Sequence, residues 1–162
     1  MKRWALVSST VAIGFVCAGY AYAADPALPA ASAAPKAIAT ADGETSGIRL
    51  EVTQLKRVGS DAVMVKFTVY NDSDKQYSGN EFHEKEYSTA DGVYLVDLDG
   101  KKKYEVVKDS DAHCVCSRDI KSIGPHMSAV LWAKFGAPPE TTIKVGVVVP
   151  HFTPMDDVPL SH

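Results

Sequence analysis

From Ile48 onward, apolar residues recur at every second position in one short run after another, and that period commits the chain to β-strands. "IRLEVTQL" sets Ile48, Leu50 and Val52 against Arg49, Glu51 and Thr53. "AVMVKFTVYN" places Val63, Val65, Phe67 and Val69 on one face and Met64, Lys66, Thr68 and Tyr70 on the other. "SAVLWAKF" opposes Leu131, Ala133 and Phe135 to Val130, Trp132 and Lys134. "TTIKVGVVVP" puts Ile143, Val145, Val147 and Val149 on the expected inner face, and Pro150 stops the run. In "GVYLVDLDGKKKYEVV" two strand-like runs flank Asp99-Gly100, a dipeptide that tolerates the positive φ angles of a tight hairpin. A last short piece runs through Asp157 and Val158. No sustained helical period follows residue 48. Six or seven short strands in little more than a hundred residues predict an all-β, two-sheet sandwich over residues 48–160. Its inner faces are expected to carry Val, Ile, Leu, Phe and Trp. Each such buried side chain contributes roughly 1.5–3 kcal/mol, so a dozen of them hold the fold without staples.

The residues before this grammar begins have a different character. Lys2 and Arg3 precede an uncharged stretch rich in Ala, Val and Ile, and Ala21-Tyr22-Ala23 supplies small residues at the two positions that signal peptidase reads. Residues 1–23 thus read as a secretory signal cleaved between Ala23 and Ala24. An uncleaved anchor is the competing reading, since an uncharged run of about 20 residues just spans a bilayer. A lipoprotein signal fits less well, because Val16 precedes Cys17 where glycine or alanine is required. Residues 24–47 are Ala-, Pro-, Ser- and Thr-rich, with Leu28 and Ile38 as the only larger aliphatics, and read as a disordered leader.

Export settles charge and redox expectations together. Loss of Lys2 and Arg3 leaves 15 basic against 20 acidic residues. No basic block stands out beyond Lys101, Lys102 and Lys103 beside a turn, so no nucleic-acid partner and no stable membrane insertion after cleavage are expected. In an oxidising compartment Cys114 and Cys116 of "DAHCVCS" are expected to pair. On an extended strand, Cβ atoms two residues apart lie about 6.5–7 Å from each other, whereas a bridge needs about 3.5–4.5 Å. The bond therefore demands a local turn, which the Asp- and Ser-rich surroundings permit. Closing a three-residue ring stabilises by only about 1.5 kcal/mol in the chain-entropy description, so the bridge would pin one loop.

Two sharper chemistries compete for the same residues. His113, Cys114 and Cys116 could ligate a soft metal such as copper, with His126, Met127, His151 and Met155 as further donors. The five histidines are scattered, however, and no metal or other cofactor is expected. A thiol–disulfide oxidoreductase needs an exposed, low-pKa thiolate, and His113 would have to turn toward a sulfur to supply it. No Gly-x-Ser-x-Gly elbow, phosphate loop or His-Glu-x-x-His pattern is present, so no catalytic residues are assigned and the chain reads as a non-enzyme. The polar stretch 71–91, "NDSDKQYSGNEFHEKEYSTAD", is long for a compact domain. Its Glu81, Glu84 and Glu86 lack the spaced oxygen ligands of a calcium loop. Tyr70, Tyr77, Tyr87 and Tyr94, like Trp132, are expected to pack.

Taken together, "YLVD" at 94–97, Gly100, Lys103-Tyr104, "CVCS" at 114–117, "LWAKF" at 131–135 and "APP" at 137–139 carry a resemblance. Residues 48–160 resemble a bacterial extracytoplasmic immunoglobulin-like domain of unknown function. That domain occurs alone in secreted proteins and lipoproteins, and ahead of OmpA-type peptidoglycan-binding domains. The pattern departs at Gly124-Pro125-His126, where the family favours Pro-Gly, and no OmpA-type domain follows. The resemblance implies a fold and an envelope location without a reaction. The expectation is an exported binding or structural module of the periplasm or cell envelope, partnered by an envelope protein or surface component. Its candidate contact surfaces are the 71–91 loop and the cysteine loop.

Overall fold

The structure, a computed structural model, describes residues 36–162. Eight strands form two antiparallel four-stranded sheets: β1 (Ala39–Asp42), β2 (Ile48–Val58), β3 (Ala62–Asn71) and β6 (Met127–Gly136) in the order β1-β2-β3-β6, and β4 (Tyr94–Asp97), β5 (Lys102–Glu105), β7 (Lys144–Val148) and β8 (Met155–Pro159) in the order β5-β4-β7-β8. No described residue is helical. The arrangement is all-β and consistent with a two-sheet sandwich. Both sheets bury apolar faces: Leu50, Val52, Val65, Phe67, Leu131 and Phe135 on one, Leu95, Val145, Val147 and Val158 on the other.

Period-two alternation holds through most strands and is reset at two register shifts, the second between Val145 and Val147 where β8 buries Met155 and Val158. The β2–β3 register shifts between Val52 and Gln54, so a bulge returns Leu55 to the core after Ile48, Leu50 and Val52. The two sheets are also stitched at their corners. Val107 N–H donates to the Lys134 carbonyl at 2.9 Å, carrying the chain after β5 onto β6. The C-terminal Ser161 exchanges backbone bonds with Leu55 and Arg57 at 3.0 and 2.9 Å, filling the lane beside β2 that β1 leaves open.

Four expectations need correction. The fold takes in β1, whose Ala39 to Asp42 pair with Val52 to Arg49, so the sheet reaches into the span assigned to the disordered leader. Pairing with a strongly alternating neighbour outweighs the weak propensity of "ATAD". Trp132 is only half-buried, on the outward face of β6, because Leu131, Ala133 and Phe135 take the inward positions. Ile143 stands before β7 and is 69% exposed, leaving Val145, Val147 and Val149 to the core. The turn between β4 and β5 spans four residues, with Lys101 at φ 50°. Gly100 serves there by size: Asp97 Oδ1 accepts its N–H at 2.8 Å, and a Cβ at this position would meet Asp97 Oδ2 at 2.6 Å.

Candidate functional site

The residues between β3 and β4 do not hang from the fold as a solvated loop. Phe82 is fully buried, and Tyr77 and Ala90 join it in the core. Phe82 lies 6.3 Å from the Phe152 ring and meets Tyr77 edge-on at 6.0 Å. Burial pushes the Tyr77 hydroxyl up to about 12, with Glu81 and then Glu44 disfavouring its ionised form further. The sequence hides this anchor because three apolar residues spread through the polar stretch 71–91 show no period.

Polar groups then lock the loop's path. Asn71, at the end of β3 and fully buried, donates through Nδ2 to the carbonyls of Lys75, Ile123 and Gly124 at 2.7, 3.0 and 3.0 Å. Its Oδ1 accepts from the backbone and hydroxyl of Ser73 at 3.1 and 2.7 Å. The Asp91 carboxylate accepts backbone N–H groups of Glu84, Lys85 and Glu86 at 2.7, 3.1 and 3.1 Å, turning the middle of the loop back on itself. Gly79 crosses the backbone of Ile120 and Lys121 so closely that a Cβ there would meet the Lys121 carbonyl oxygen at 2.8 Å. Any side chain at that crossing separates the two segments.

The cysteine loop is the surface against which this segment docks. Glu86 Oε1 faces both His113 Nδ1 and an Arg118 terminal nitrogen at 3.2 Å, and its Oε2 accepts the Cys114 N–H at 3.3 Å. Backbone bonds complete the seam, from Ala90 N–H to the Ser117 carbonyl at 3.0 Å and from Ile120 N–H to the Ser88 carbonyl at 2.9 Å. Tyr77 and Ile123 exchange both of their backbone bonds at 2.9 Å. The two segments nominated separately from the sequence are one continuous surface.

Cys114 and Cys116 are a close pair, their sulfurs at bonding distance and their Cα atoms 5.3 Å apart. Two residues of extended chain would separate those Cα atoms by about 6.6–6.8 Å. The segment is contracted by a bend at Val115. Both cysteines are 4% exposed. His113 turns to Glu86, His126 to Asp74 at 3.0 Å, and His151 to Glu44 at 2.9 Å and Glu81 at 3.6 Å. Met155 is buried near the Val147 register position, while Met127 is 63% exposed. Among the described residues, no three His, Cys, Asp or Glu side chains gather as a metal set. Glu81, Glu84 and Glu86 likewise go their separate ways, to His151, Lys85 and the His113–Arg118 pair. Of the tyrosines, Tyr70 lies under the Arg49 guanidinium at 3.8 Å, Tyr94 under Lys103 at 4.2 Å, and Tyr87 is 76% exposed against the His83 ring. Ala23 and Ala24, the expected cleavage pair, lie outside the described residues.

One further feature was not foreseen. Beside the cysteine loop runs a groove of about 540 Å³ between residues 117–124 and the first half of β6, with Met127, Val130, Leu131 and Trp132 among its lining. Its signal lay in the alternation of "SAVLWAKF": with Leu131, Ala133 and Phe135 inward, Val130 and Trp132 must face outward. No family model, curated protein or solved structure matches the chain.

Proposed function

We propose that this chain is an exported immunoglobulin-like module of the periplasm or cell envelope, that it performs no reaction, and that it binds or organises an envelope component. The observation that carries this reading is the docking of the 71–91 segment onto the cysteine loop through Glu86. A chain that only had to fold could have joined β3 to β4 with a few residues. This one devotes some twenty to a surface fixed by buried aromatics, an asparagine hub and a carboxylate-capped turn. Rigid loops on a β scaffold are the common platform for recognition. The buried, close-paired cysteines fit a pinned loop better than an exposed thiolate or an open ligand pair.

Export and pairing have a common readout. Intact-mass measurement of the protein recovered from the exporting cell is expected to show loss of residues 1–23, with a mass two hydrogens below that of the reduced chain. A full-length mass removes the cleavage step, and a fully reduced mass removes the bridge.

Binding is tested by placing a photo-crosslinking residue at exposed Tyr87 and, for comparison, at exposed Leu98 beyond the far end of β4. Irradiation in the exporting cell is expected to give a discrete adduct from position 87 and none from position 98. Equal labelling from both positions, or none from either, would remove the docked loop as a contact surface.

A further inference from the structure

β6 is an edge strand that is covered along only half its length. Its even-numbered residues turn their backbone groups away from β3. The Lys134 N–H donates to the Val115 carbonyl at 3.0 Å, its carbonyl accepts from Val107 N–H at 2.9 Å, and the Trp132 carbonyl accepts from Ser117 N–H at 2.8 Å. Trp132 N–H donates to Ser117 Oγ at 2.9 Å. The segment 115–117 thus runs antiparallel to β6 as a short fifth lane, with Cys116 opposite Ala133.

After Ser117 the chain leaves that lane, turning through Asp119 at φ 53°, and it rejoins β6 only through the turn that ends at His126, φ 55°. The same parity turns the N–H and C=O groups of Val130 and Ser128 outward. No described residue bonds to them. They face the groove. This is a vacated strand lane with two free donor–acceptor pairs, apolar residues in its lining and a prefixed continuation in the cysteine loop.

Charge selects the occupant. The chain as a whole carries more acid than base, yet "AVMVKFTVYN" and "MSAVLWAKFG" contain no carboxylate. On their outward face Lys66 stands in register opposite Trp132, with Lys134 two residues along. At the groove's edge Arg118 is already paired with Glu86 and Lys121 stands near Asp119, so the basic character comes from Lys66 and Lys134 on the outward face. A second copy paired edge to edge would extend this face with the same lysines and no carboxylate on either strand to offset them. The chain's own leader is proline-rich and deficient in the N–H groups a strand must supply.

We infer that the open half of β6 is a strand-addition site for an extended segment of another protein in which acidic side chains alternate with small apolar ones. Backbone pairing with Ser128 and Val130 supplies affinity. Side chains of one parity enter the groove, and those of the other lie along the basic outward face, where opposite charges across strands attract. The inference rests on the binding-module reading and sharpens it.

The test uses the exported protein and two end-blocked, fluorescent decapeptides, one alternating Glu and Val and one alternating Lys and Val, read by anisotropy. The Glu peptide is expected to bind and the Lys peptide not. Val130→Pro removes the outward N–H while leaving the β3 ladder intact, since that N–H is not part of it. It is expected to weaken binding about tenfold, the worth of one backbone hydrogen bond at its upper range. Lys121→Glu and Val130→Glu reverse or add charge at the groove without touching the ladder. They are expected to weaken the Glu peptide by a similar factor, so the inference stays testable if the proline variant fails to fold. Equal binding of both peptides, or unchanged binding by the Glu variants, overturns it. So does self-association in sedimentation that Val130→Glu abolishes, which would assign the edge to a second copy. If the Tyr87 adduct forms but the Glu peptide does not bind, the strand-addition site fails alone. If the peptide binds but no adduct forms, the docked-loop reading fails alone.

Discussion

Phe82→Ala is expected to lower the unfolding free energy by about 3–5 kcal/mol, the range for truncating a fully buried phenylalanine. The residue sits in a stretch whose composition suggests a dispensable loop, yet it has no exposed surface and lies between the Tyr77 and Phe152 rings. Its loss would leave a cavity beside the Tyr77 and Phe152 rings, in a segment held in place by the backbone exchange between Tyr77 and Ile123. Urea unfolding of the variant beside Tyr87→Ala reads the effect. Tyr87 lies in the same loop but is 76% exposed, so its truncation should shift stability by less than about 0.5 kcal/mol. Comparable losses from the two variants would show that the segment does not pack as described.

Asn71→Asp should be as damaging at neutral pH. The change is nearly isosteric, but it replaces the amide donor to three carbonyls with a carboxylate oxygen. A buried charge then faces acceptors in place of donors, and breaking such a set costs about 3–5 kcal/mol. The pH sign follows from the same contacts. Burial among carbonyls raises the folded-state pKa of the introduced carboxyl above its unfolded value, so the folded protein holds the proton more tightly. Stability then falls as pH rises through that window and recovers in acid, where the protonated carboxyl can donate to one of the three carbonyls. Thermal unfolding of variant and parent from pH 4 to pH 8 is expected to show a gap that widens with pH. A gap independent of pH would mean that the introduced carboxylate is solvated and that the hub is open to water.

The fold was legible where burial is regular and obscure where it is not. Alternation in residues 48–52, 62–71 and 131–135 placed the inward faces of β2, β3 and β6 correctly, because a strand half-buried on a sheet has no other solution. It could not announce β1, since "ATAD" has little pattern of its own and is ordered by the neighbour it pairs with. Nor could it separate Ile143 from the three valines behind it, because the point at which a strand leaves the sheet is set by tertiary contacts. The candidate surface was half legible. Length and polarity singled out residues 71–91, and spacing singled out the cysteines, but their union depends on Glu86 reaching His113, Cys114 and Arg118 across about thirty residues of sequence. Contacts of that separation leave no local trace. Trp132 is the instructive case: its own strand's alternation pointed it outward, while a general expectation for tryptophan pointed it into the core.

The ladder that pairs Ala62 with Gly136 and Asn71 with Met127 also governs how this molecule comes into being. β2 and β3 are joined by a short turn through Gly59 and can form a hairpin as soon as both are available. β6 reaches β3 only after the intervening chain, with the loop, β4, β5 and the cysteine bend, has found room beside it. Closing so long a span is slow compared with hairpin formation. Until it closes, "AVMVKFTVYN" presents an unpaired, valine-rich edge, the kind of surface on which unfinished β-proteins aggregate. Assembly of this chain is therefore expected to be limited by the arrival of its sixth strand, and its yield by what shields the third in the meantime.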